Sequence, residues 1–170
     1  LKLEKIFITH THFDHISFLE DLKYQFPQVQ VCGFKKPEQD MGDNYRKLNH
    51  HEIIPFAGEL ITALHTPGHY PDSMCYWNKN ESCLFTGDTM FIGRTGRTVG
   101  IRSNISHLYS SVYDILLGLP EETMIYPGHH YGHKSSLTIK ENIALSSFFQ
   151  CKCPIQDHWY ATIPNNRLQN

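Results

Sequence analysis

The sequence predicts a single α/β domain whose short strands end at one histidine-rich edge. Its 170 residues, 40% of them hydrophobic, are enough for one core. Four short apolar runs are each followed at once by a turn that carries histidine or aspartate, and helical patterns lie between some of them. Side chains that follow different strands of one sheet can meet at one edge, so the sequence predicts that these polar groups converge.

The first strand is expected at residues 6–9 and leads into the segment HTHFDH. His10 and His12 are two residues apart and therefore face the same side of an extended chain. Asp14 and His15 come just past the strand, where the backbone can curl and present a second pair of ligands. Three imidazoles and a carboxylate within six residues indicate a metal site.

Alternating helices and strands are expected to follow this segment. A first helix has its apolar positions at helical spacing and ends before Pro27; these positions are Ile16, Leu19, Leu22 and Phe26. Residues 29–32 resemble a strand. The polar stretch 34–49 is expected to contain a helix around residues 45–48.

The next strands each lead to another candidate ligand. Residues 60–64 alternate as a strand does and precede the turn that carries His69. Residues 74–85 are expected to form a hairpin that leads to Asp88. Residues 124–126 form a third strand-like run, which precedes His129.

Two helices complete the prediction. Ser106 can cap a helix whose apolar face is formed by Leu108, Val112, Ile115, Leu116 and Leu119. Residues 138–149 are expected to form the last helix.

The chemistry of these ligands indicates an open metal site. Imidazole and carboxylate suit zinc, iron or manganese, and the segment HTHFDH contains none of the cysteines typical of closed structural zinc sites. The chain has no Gly-x-Ser-x-Gly segment for a serine nucleophile.

The order HTHFDH, TPGH, TGDT, PGHHYG resembles the metallo-β-lactamase superfamily, in particular its glyoxalase II and persulfide dioxygenase branches. The resemblance extends to about Phe149 and implies an αββα sandwich with two metal ions at one rim. The implied ligands are His10, His12 and His69 for the first ion, Asp14, His15 and His129 for the second, and Asp88 as the bridge.

This resemblance implies a hydrolase that cleaves a thioester such as an acylglutathione, or a related ester, with a metal-bridging hydroxide. Asp14 and Asp88 would be the catalytic residues, with Asp14 orienting the hydroxide. Two divalent metal ions are expected, and zinc is favoured over iron and manganese. The alternative is a mononuclear iron persulfide dioxygenase that acts on glutathione persulfide through His10, His69 and Asp88. A non-catalytic metal-binding scaffold is a third hypothesis.

Two further residues match substrate-binding positions of glutathione-handling relatives. Arg97 would clamp a carboxylate with its planar guanidinium, and Tyr131 would contact the same substrate. The alternative is a surface arginine and a packing tyrosine. Thr95 stands where both branches carry a cysteine, and this departure weakens both assignments.

Composition narrows the class of partner. The net charge of -2, without a long run of one sign, favours a small-molecule substrate over nucleic acid. No apolar run is long enough to span a bilayer, so no membrane partner is expected. Five cysteines without a disulfide framework favour a reducing compartment, and we expect a cytoplasmic protein. Cys151 and Cys153 are close enough to bind a metal or form a redox pair, but the pair lacks the second half of a zinc knuckle, so neither role is favoured. His158 matches no ligand position.

The ends of the chain also differ from the family pattern. The first ligand follows Leu1 by nine residues, whereas the family builds a strand meander before this motif. We therefore expect that the natural amino terminus is missing here, together with any targeting segment. We further expect that residues 1–170 form one domain without the carboxy-terminal helical substrate domain of glyoxalase II.

Overall fold

A computed structural model describes residues 2–151, which contain two β-sheets. The first sheet has three parallel strands in the order β1 (Lys5–Phe7), β2 (Gln30–Phe34) and β3 (Tyr45–Leu48). The second has six strands in chain order, namely β4 (Glu52–Phe56), β5 (Glu59–His65), β6 (Met74–Asn78), β7 (Cys83–Gly87), β8 (Met124–Pro127) and β9 (Leu137–Thr138).

The directions of the strands bring several strand ends to one edge. Strands β4 to β7 form an antiparallel meander, so β5 and β7 run in the same direction. Strand β8 pairs with β7 in parallel, with Leu84 opposite Ile125. The carboxyl ends of β5, β7 and β8 therefore lie at the same edge of the second sheet.

Short helices cover the two sheets. They are α1 (Phe13–Ile16), α2 (Leu19–Gln25), α3 (Ile105–Ser110), the π-helical segment Ser111–Leu116, α4 (Ile139–Leu145) and the 3₁₀ turn Ser147–Phe149. Helix α4 begins with a capping box, because Thr138 accepts from the Glu141 amide while the Glu141 carboxylate accepts from the Thr138 amide.

The buried side chains show four layers in the order helix, sheet, sheet, helix. The core between the sheets combines residues of both, namely Cys32, Leu48, Ile54, Ile61, Ala63, Met74 and Tyr76. Outside the second sheet, α3, the π-helical segment and α4 pack on Leu84 and Ile125. Outside the first sheet, Leu19 of α2 packs near Val31. Each such large apolar side chain contributes roughly 1.5–3 kcal/mol when fully buried. The predicted αββα sandwich is therefore confirmed.

Hydrogen bonds join the two sheets directly beside the first ligand segment. The Met74 amide donates to the Thr9 carbonyl at 2.6 Å, and the Tyr76 hydroxyl donates to the Ile8 carbonyl at 2.6 Å. The end of β1 is thus held against β6, which fixes where the chain enters the HTHFDH segment.

The predicted strands at residues 6–9, 29–32, 60–64 and 124–126 are confirmed to within a few residues, as is the hairpin of residues 74–85. The helix expected around residues 45–48 is wrong, because these residues form β3. They pair in parallel with β2, and the Tyr45 hydroxyl donates to the Phe34 carbonyl at 2.7 Å. The pairing of β3 with a neighbouring strand outweighs the weak local preference for a helix.

The predicted helices differ in their boundaries. The first is interrupted between Ile16 and Leu19 and forms α1 and α2. Helix α3 is capped by Asn104, whose side chain accepts from the His107 amide at 2.9 Å, so the expected cap at Ser106 is wrong. The last helix ends at Leu145 and is followed by the 3₁₀ turn. Strands β4 and β9 were not predicted.

Within residues 2–151, no helix has the length and apolar character needed to cross a bilayer. The expectations of a cytoplasmic protein and of one domain over residues 1–170 stay predictions.

Candidate metal centre

Three imidazoles from two segments meet beyond the ends of β1 and β5. The Nε2 atom of His10 lies 3.0 Å from Nδ1 of His12, and Nε2 of His69 also lies 3.0 Å from that nitrogen. The three nitrogens all lie within 4.8 Å of one another. We call His10, His12 and His69 the first triad. His10 is buried, only 1% exposed, and His12 and His69 are partly buried.

A second group of ligand types lies beside the first. The Nε2 atom of His129 is 3.3 Å from Nε2 of His15 and 3.2 Å from Oδ2 of Asp14. We call Asp14, His15 and His129 the second triad. Asp14 and His15 lie in α1, which starts directly after His12, and His129 follows β8. The second triad is more open, since the Asp14 side chain is 59% exposed.

Asp88 lies between the two triads. It follows β7, and its Oδ1 atom is 3.3 Å from Nε2 of His15, while Oδ2 is 3.6 Å from Nε2 of His69 and 3.5 Å from Nε2 of His129. Oδ1 is buried, and despite the short distance to His15 it has no hydrogen bond among the described residues. A buried carboxylate oxygen without a partner is costly, so it is a natural position for a cation.

Hydrogen bonds on the outer side of the first triad orient its rings. Nδ1 of His69 donates to the carbonyl of Arg97 at 2.8 Å, which leaves the lone pair on Nε2 directed at the other imidazoles. Nδ1 of His10 lies 3.3 Å from Oγ1 of Thr9. Such outer partners fix the ring orientation of metal-binding histidines.

The electrostatics favour neutral imidazoles in the first triad. Burial, aided by the nearby His15, lowers the pKa of His10 from 6.5 to about 2. Burial and the neighbouring His69 also lower the pKa of His12. Both rings are therefore neutral near pH 7 and keep a lone pair for a metal.

Around Asp88, interactions between opposite charges favour the charged forms of His15 and Asp88. Burial lowers the pKa of His15, but the adjacent carboxylates of Asp88 and Asp14 outweigh it and raise that pKa overall. Burial likewise raises the pKa of Asp88, and the close His15, with His10 and His129, outweighs it so that the pKa falls overall. Asp88 is therefore ionised near neutral pH and supplies a negative charge between the triads.

The residues fit a pair of divalent ions. A tetrahedral zinc ion with zinc–nitrogen distances of about 2.0–2.1 Å holds its ligand nitrogens roughly 3.3 Å apart. The closest nitrogen–nitrogen distances in the two triads, 3.0 Å and 3.3 Å, agree with this spacing. Neutral imidazoles, ionised carboxylates and a buried oxygen without a partner together form a donor set for zinc, iron or manganese.

Two glycines allow the backbone to pass close to the ligands. A Cβ atom at Gly96 would lie 1.9 Å from the carbonyl oxygen of Asp88 and 2.9 Å from Cγ of His69. A Cβ atom at Gly128 would lie 2.6 Å from Oδ1 of Asp88. Any larger residue at either position would displace the ligands.

The predicted substrate-binding residues lie at the rim of the centre. The Tyr131 ring is half exposed, with its centroid 5.5 Å from that of His129. Arg97 is exposed, and its backbone carbonyl is the acceptor that orients His69. The arginine that contacts Tyr131 is Arg94, whose guanidinium carbon is 5.9 Å from the ring centroid. The roles of Arg97 and Tyr131 toward a substrate stay predictions.

The structure brings all seven predicted ligands together and leaves other histidines outside the centre. His65 stacks on Phe34 at 3.7 Å and donates from Nε2 to the Pro71 carbonyl, as a structural histidine does. Cys32 and Cys75 are buried free thiols, and Cys83 is a partly buried one. His158 and the second member of the Cys151–Cys153 pair lie outside the described residues.

The sequence did not identify the groups that orient the first triad. The acceptor for His69 is a backbone carbonyl, and a carbonyl is the same in every residue type, so no sequence signal could have found it. Thr9 directly precedes His10, and that adjacency was the one available signal.

Comparisons with known proteins agree with this architecture. A family model described as the metallo-beta-lactamase superfamily matches residues 1–129. A probable hydroxyacylglutathione hydrolase of Schizosaccharomyces pombe is 35% identical over 133 residues, which cover 77% of this chain and 50% of that protein. The chain thus spans about half the length of this relative.

Two further relatives extend the comparison. The hydroxyacylglutathione hydrolase of Dictyostelium discoideum is 30% identical over 182 aligned positions, covering 99% of this chain and 66% of that protein. The crystal structure of ETHE1 from Myxococcus xanthus superposes with a TM-score of 0.74 at 33% identity, covering 84% of this chain and 61% of that chain.

Proposed function

This chain belongs to the metallo-beta-lactamase superfamily, and from that premise we propose that it is a metal-dependent hydrolase that cleaves the thioester of an acylglutathione. The observation that carries the proposal is the meeting of two triads at the shared carboxylate of Asp88. Two curated relatives of the chain are named hydroxyacylglutathione hydrolases, and this supports the same substrate class.

The two triads would each hold one divalent ion, with Asp88 binding both. Zinc is the favoured metal because the triads combine imidazole with carboxylate at tetrahedral spacing. When bound, the pair of ions would acidify a shared water and polarise the substrate carbonyl.

Side chains of the protein would orient the attacking water. Oδ2 of Asp14 faces His15 and His129, while the side chain is largely exposed, so Asp14 would orient the attacking water at the mouth of the centre. Hydrolysis forms a bond from the water oxygen to the carbonyl carbon and breaks the carbon–sulfur bond. The departing thiolate needs little help from a general acid because an ordinary thiol has a pKa of about 8.5.

Arg97 and Tyr131 would bind the glutathione portion, with the guanidinium holding a carboxylate through paired hydrogen bonds. Arg97→Ala is expected to raise KM about tenfold with little change in kcat, since the lost contact forms equally in ground and transition states. Lys79→Ala removes an exposed cation in the turn between β6 and β7, and it is the control. An Arg97→Ala protein with wild-type KM would contradict this role.

A persulfide dioxygenase is the second candidate, and the similarity to ETHE1 at 33% identity supports it. That reaction would use one iron held by two histidines and a carboxylate, for which His10, His69 and Asp88 are the residues.

One experiment separates the two candidates. The protein is purified without chelator or metal-affinity tag, its metals are counted by plasma mass spectrometry, and two activities are measured. Two ions per chain together with loss of thioester absorbance from a hydroxyacylglutathione support the hydrolase. One iron per chain with oxygen consumption on glutathione persulfide would overturn it in favour of the dioxygenase. Protein that takes up no metal would overturn both.

A further inference from the structure

We propose that Asp72 is a positioning residue that holds His10 and His12 in the geometry required for metal binding. Asp72 touches no metal-ligand side chain in its hydrogen bonds and matches none of the predicted ligands. The inference rests on the proposed function to the extent that it takes the first triad to bind a metal ion.

The contacts of Asp72 centre on Thr11, the residue between His10 and His12. Oδ1 of Asp72 accepts from the Thr11 amide at 3.2 Å, and Oδ2 accepts from the Thr11 hydroxyl at 2.5 Å. Both residues are buried, with Asp72 2% and Thr11 3% exposed. One carboxylate therefore fixes the backbone and the side chain of Thr11, and with them the directions in which the two flanking imidazoles leave the chain.

A third donor completes the set around Asp72. The Glu38 amide donates to Oδ2 at 2.9 Å, so the buried carboxylate accepts three hydrogen bonds. Charge-assisted bonds of this kind offset the cost of burying a carboxylate and are stronger than bonds between neutral groups. The three bonds join three segments that are separate in sequence.

The same segments meet again on the other side of His12. The Glu38 carboxylate pairs with Arg102 at 2.9 Å, and Arg102 also donates to the Tyr70 hydroxyl at 3.2 Å. The Tyr70 ring lies 4.0 Å from the His12 ring. His12 is thus held from the backbone side through Thr11 and from its ring face by Tyr70.

The position of Asp72 in the chain links the members of the first triad. It follows His69 by three residues, so the loop that supplies one ligand also supports the segment that supplies the other two. Movement of this loop would therefore shift all three imidazoles together, and the support keeps them at the spacing that one ion requires.

The decisive variants remove single hydrogen bonds. Thr11→Val deletes the hydroxyl that donates to Oδ2 while keeping size and shape. Asp72→Asn replaces one acceptor oxygen by an amide that cannot accept from the Glu38 backbone. Thr11→Ser keeps the hydroxyl and is the conservative control. Glu52→Gln removes a carboxylate whose partners are Arg46 and Asn49, and it controls for loss of a structural carboxylate.

The measurement is the zinc affinity of each variant of the 170-residue chain, obtained by competition with a chromophoric chelator, together with thermal unfolding of the metal-free protein. Thr11→Val and Asp72→Asn are expected to weaken binding of the tighter zinc ion by about 10–100-fold. Thr11→Ser and Glu52→Gln are expected to bind within about twofold of the wild type. The double variant Thr11→Val/Asp72→Asn should lose less than the product of the single losses, because the two residues share a bond.

The possible results distinguish a positioning role of Asp72 from a purely structural role and from failure of the proposed function. If Thr11→Val folds and binds zinc as tightly as the wild type, the positioning role is wrong, whatever its effect on unfolding temperature. If Asp72 and Thr11 only stabilise the fold, the Thr11→Val protein should unfold at a lower temperature but bind zinc with unchanged affinity. Wild-type protein that binds no zinc, iron or manganese would instead contradict the proposed function, and the positioning role with it.

Discussion

The two triads are made of similar ligands but differ in how firmly the protein holds them. In the first, His10 is buried and His12 and His69 are partly buried. Its rings are oriented by the Arg97 carbonyl and Thr9, and its backbone is fixed through Thr11. The second contains the largely exposed Asp14 and the partly exposed His129. The first triad consists of three imidazoles, whereas the second contributes a carboxylate of its own.

This difference indicates that the two triads have different roles, one in tight metal binding and the other in exchange of water and substrate. Ligands held in advance bind a metal tightly because little order has to be imposed on binding. Ligands at the open mouth can adjust as water and substrate exchange. Asp88 belongs to both regions, so its removal should affect the centre most.

The largest effect is expected for Asp88→Ala. Loss of the shared carboxylate removes a ligand from both triads, and we expect loss of at least one ion per chain and a fall in activity of about 100-fold or more. The control is Asp114→Ala, at an exposed position of the π-helical segment. Metal analysis and a thioester assay measure the result. A metal-replete, fully active Asp88→Ala protein would contradict the shared role.

A strong effect specific to the region around the first triad is expected for Gly96→Ala. The new Cβ would collide with the Asp88 carbonyl oxygen and the His69 ring, which the backbone cannot avoid without moving. We expect a loss of unfolding free energy of about 1–3 kcal/mol, together with weaker metal binding. At Gly100, four residues away, a Cβ meets nothing within 4 Å, so Gly100→Ala is the matched control. Equal behaviour of the two variants in denaturant unfolding would refute this prediction.

The order of metal release tests the comparison directly. In a chelator titration we expect two steps, with the ion of the exposed second triad released at a chelator concentration about tenfold lower. Asp14→Asn should abolish the release step at the lower chelator concentration and leave the other step unchanged, because Asp14 belongs only to the second triad. A single step in the wild type would show that the two sites are equivalent or fully coupled.

The smallest effect expected is a difference in pH dependence. Metal binding needs neutral imidazole, so a proton competes at the pKa of the metal-free ligand. Burial and the nearby His15 lower the pKa of His10 to about 2, whereas Asp88 and Asp14 outweigh burial and raise that of His15 above 6.5. As the pH falls, the second triad should lose its ion first, at a higher pH than the first triad does. Metal content after dialysis at stepwise lower pH measures this, and loss from the first triad at the higher pH would reverse the comparison.

The sequence predicted which side chains come together because their signal is local. Five of the seven predicted ligands follow a strand by at most five positions, and the other two, Asp14 and His15, lie in the helix that comes next. The strands are marked by apolar alternation. Strand ends that share one edge then bring His69, Asp88 and His129 together without further information.

Features that depend on partners distant in sequence were not predictable in the same way. Residues 45–48 form a strand because β2 lies beside them, although nothing in those four residues requires it. The carbonyl that orients His69 belongs to Arg97, 28 residues further along the chain. Every residue type has the same backbone carbonyl, so the sequence contains no signal for it. Asp72 gave no motif because its partners are two backbone amides and one hydroxyl.

The spacing of the ligands along the chain also sets the order in which the centre can be built during synthesis. His12 and His69 are 57 residues apart, whereas His15 and His129 are 114 apart. Closing a loop of twice the length costs about 0.6 kcal/mol more entropy. On a ribosome, where amino-terminal residues emerge first, the three imidazoles can assemble before β8 has been made. A metal ion captured there would bring β1 and β5 together, so that the later strands of the second sheet add to an organised edge.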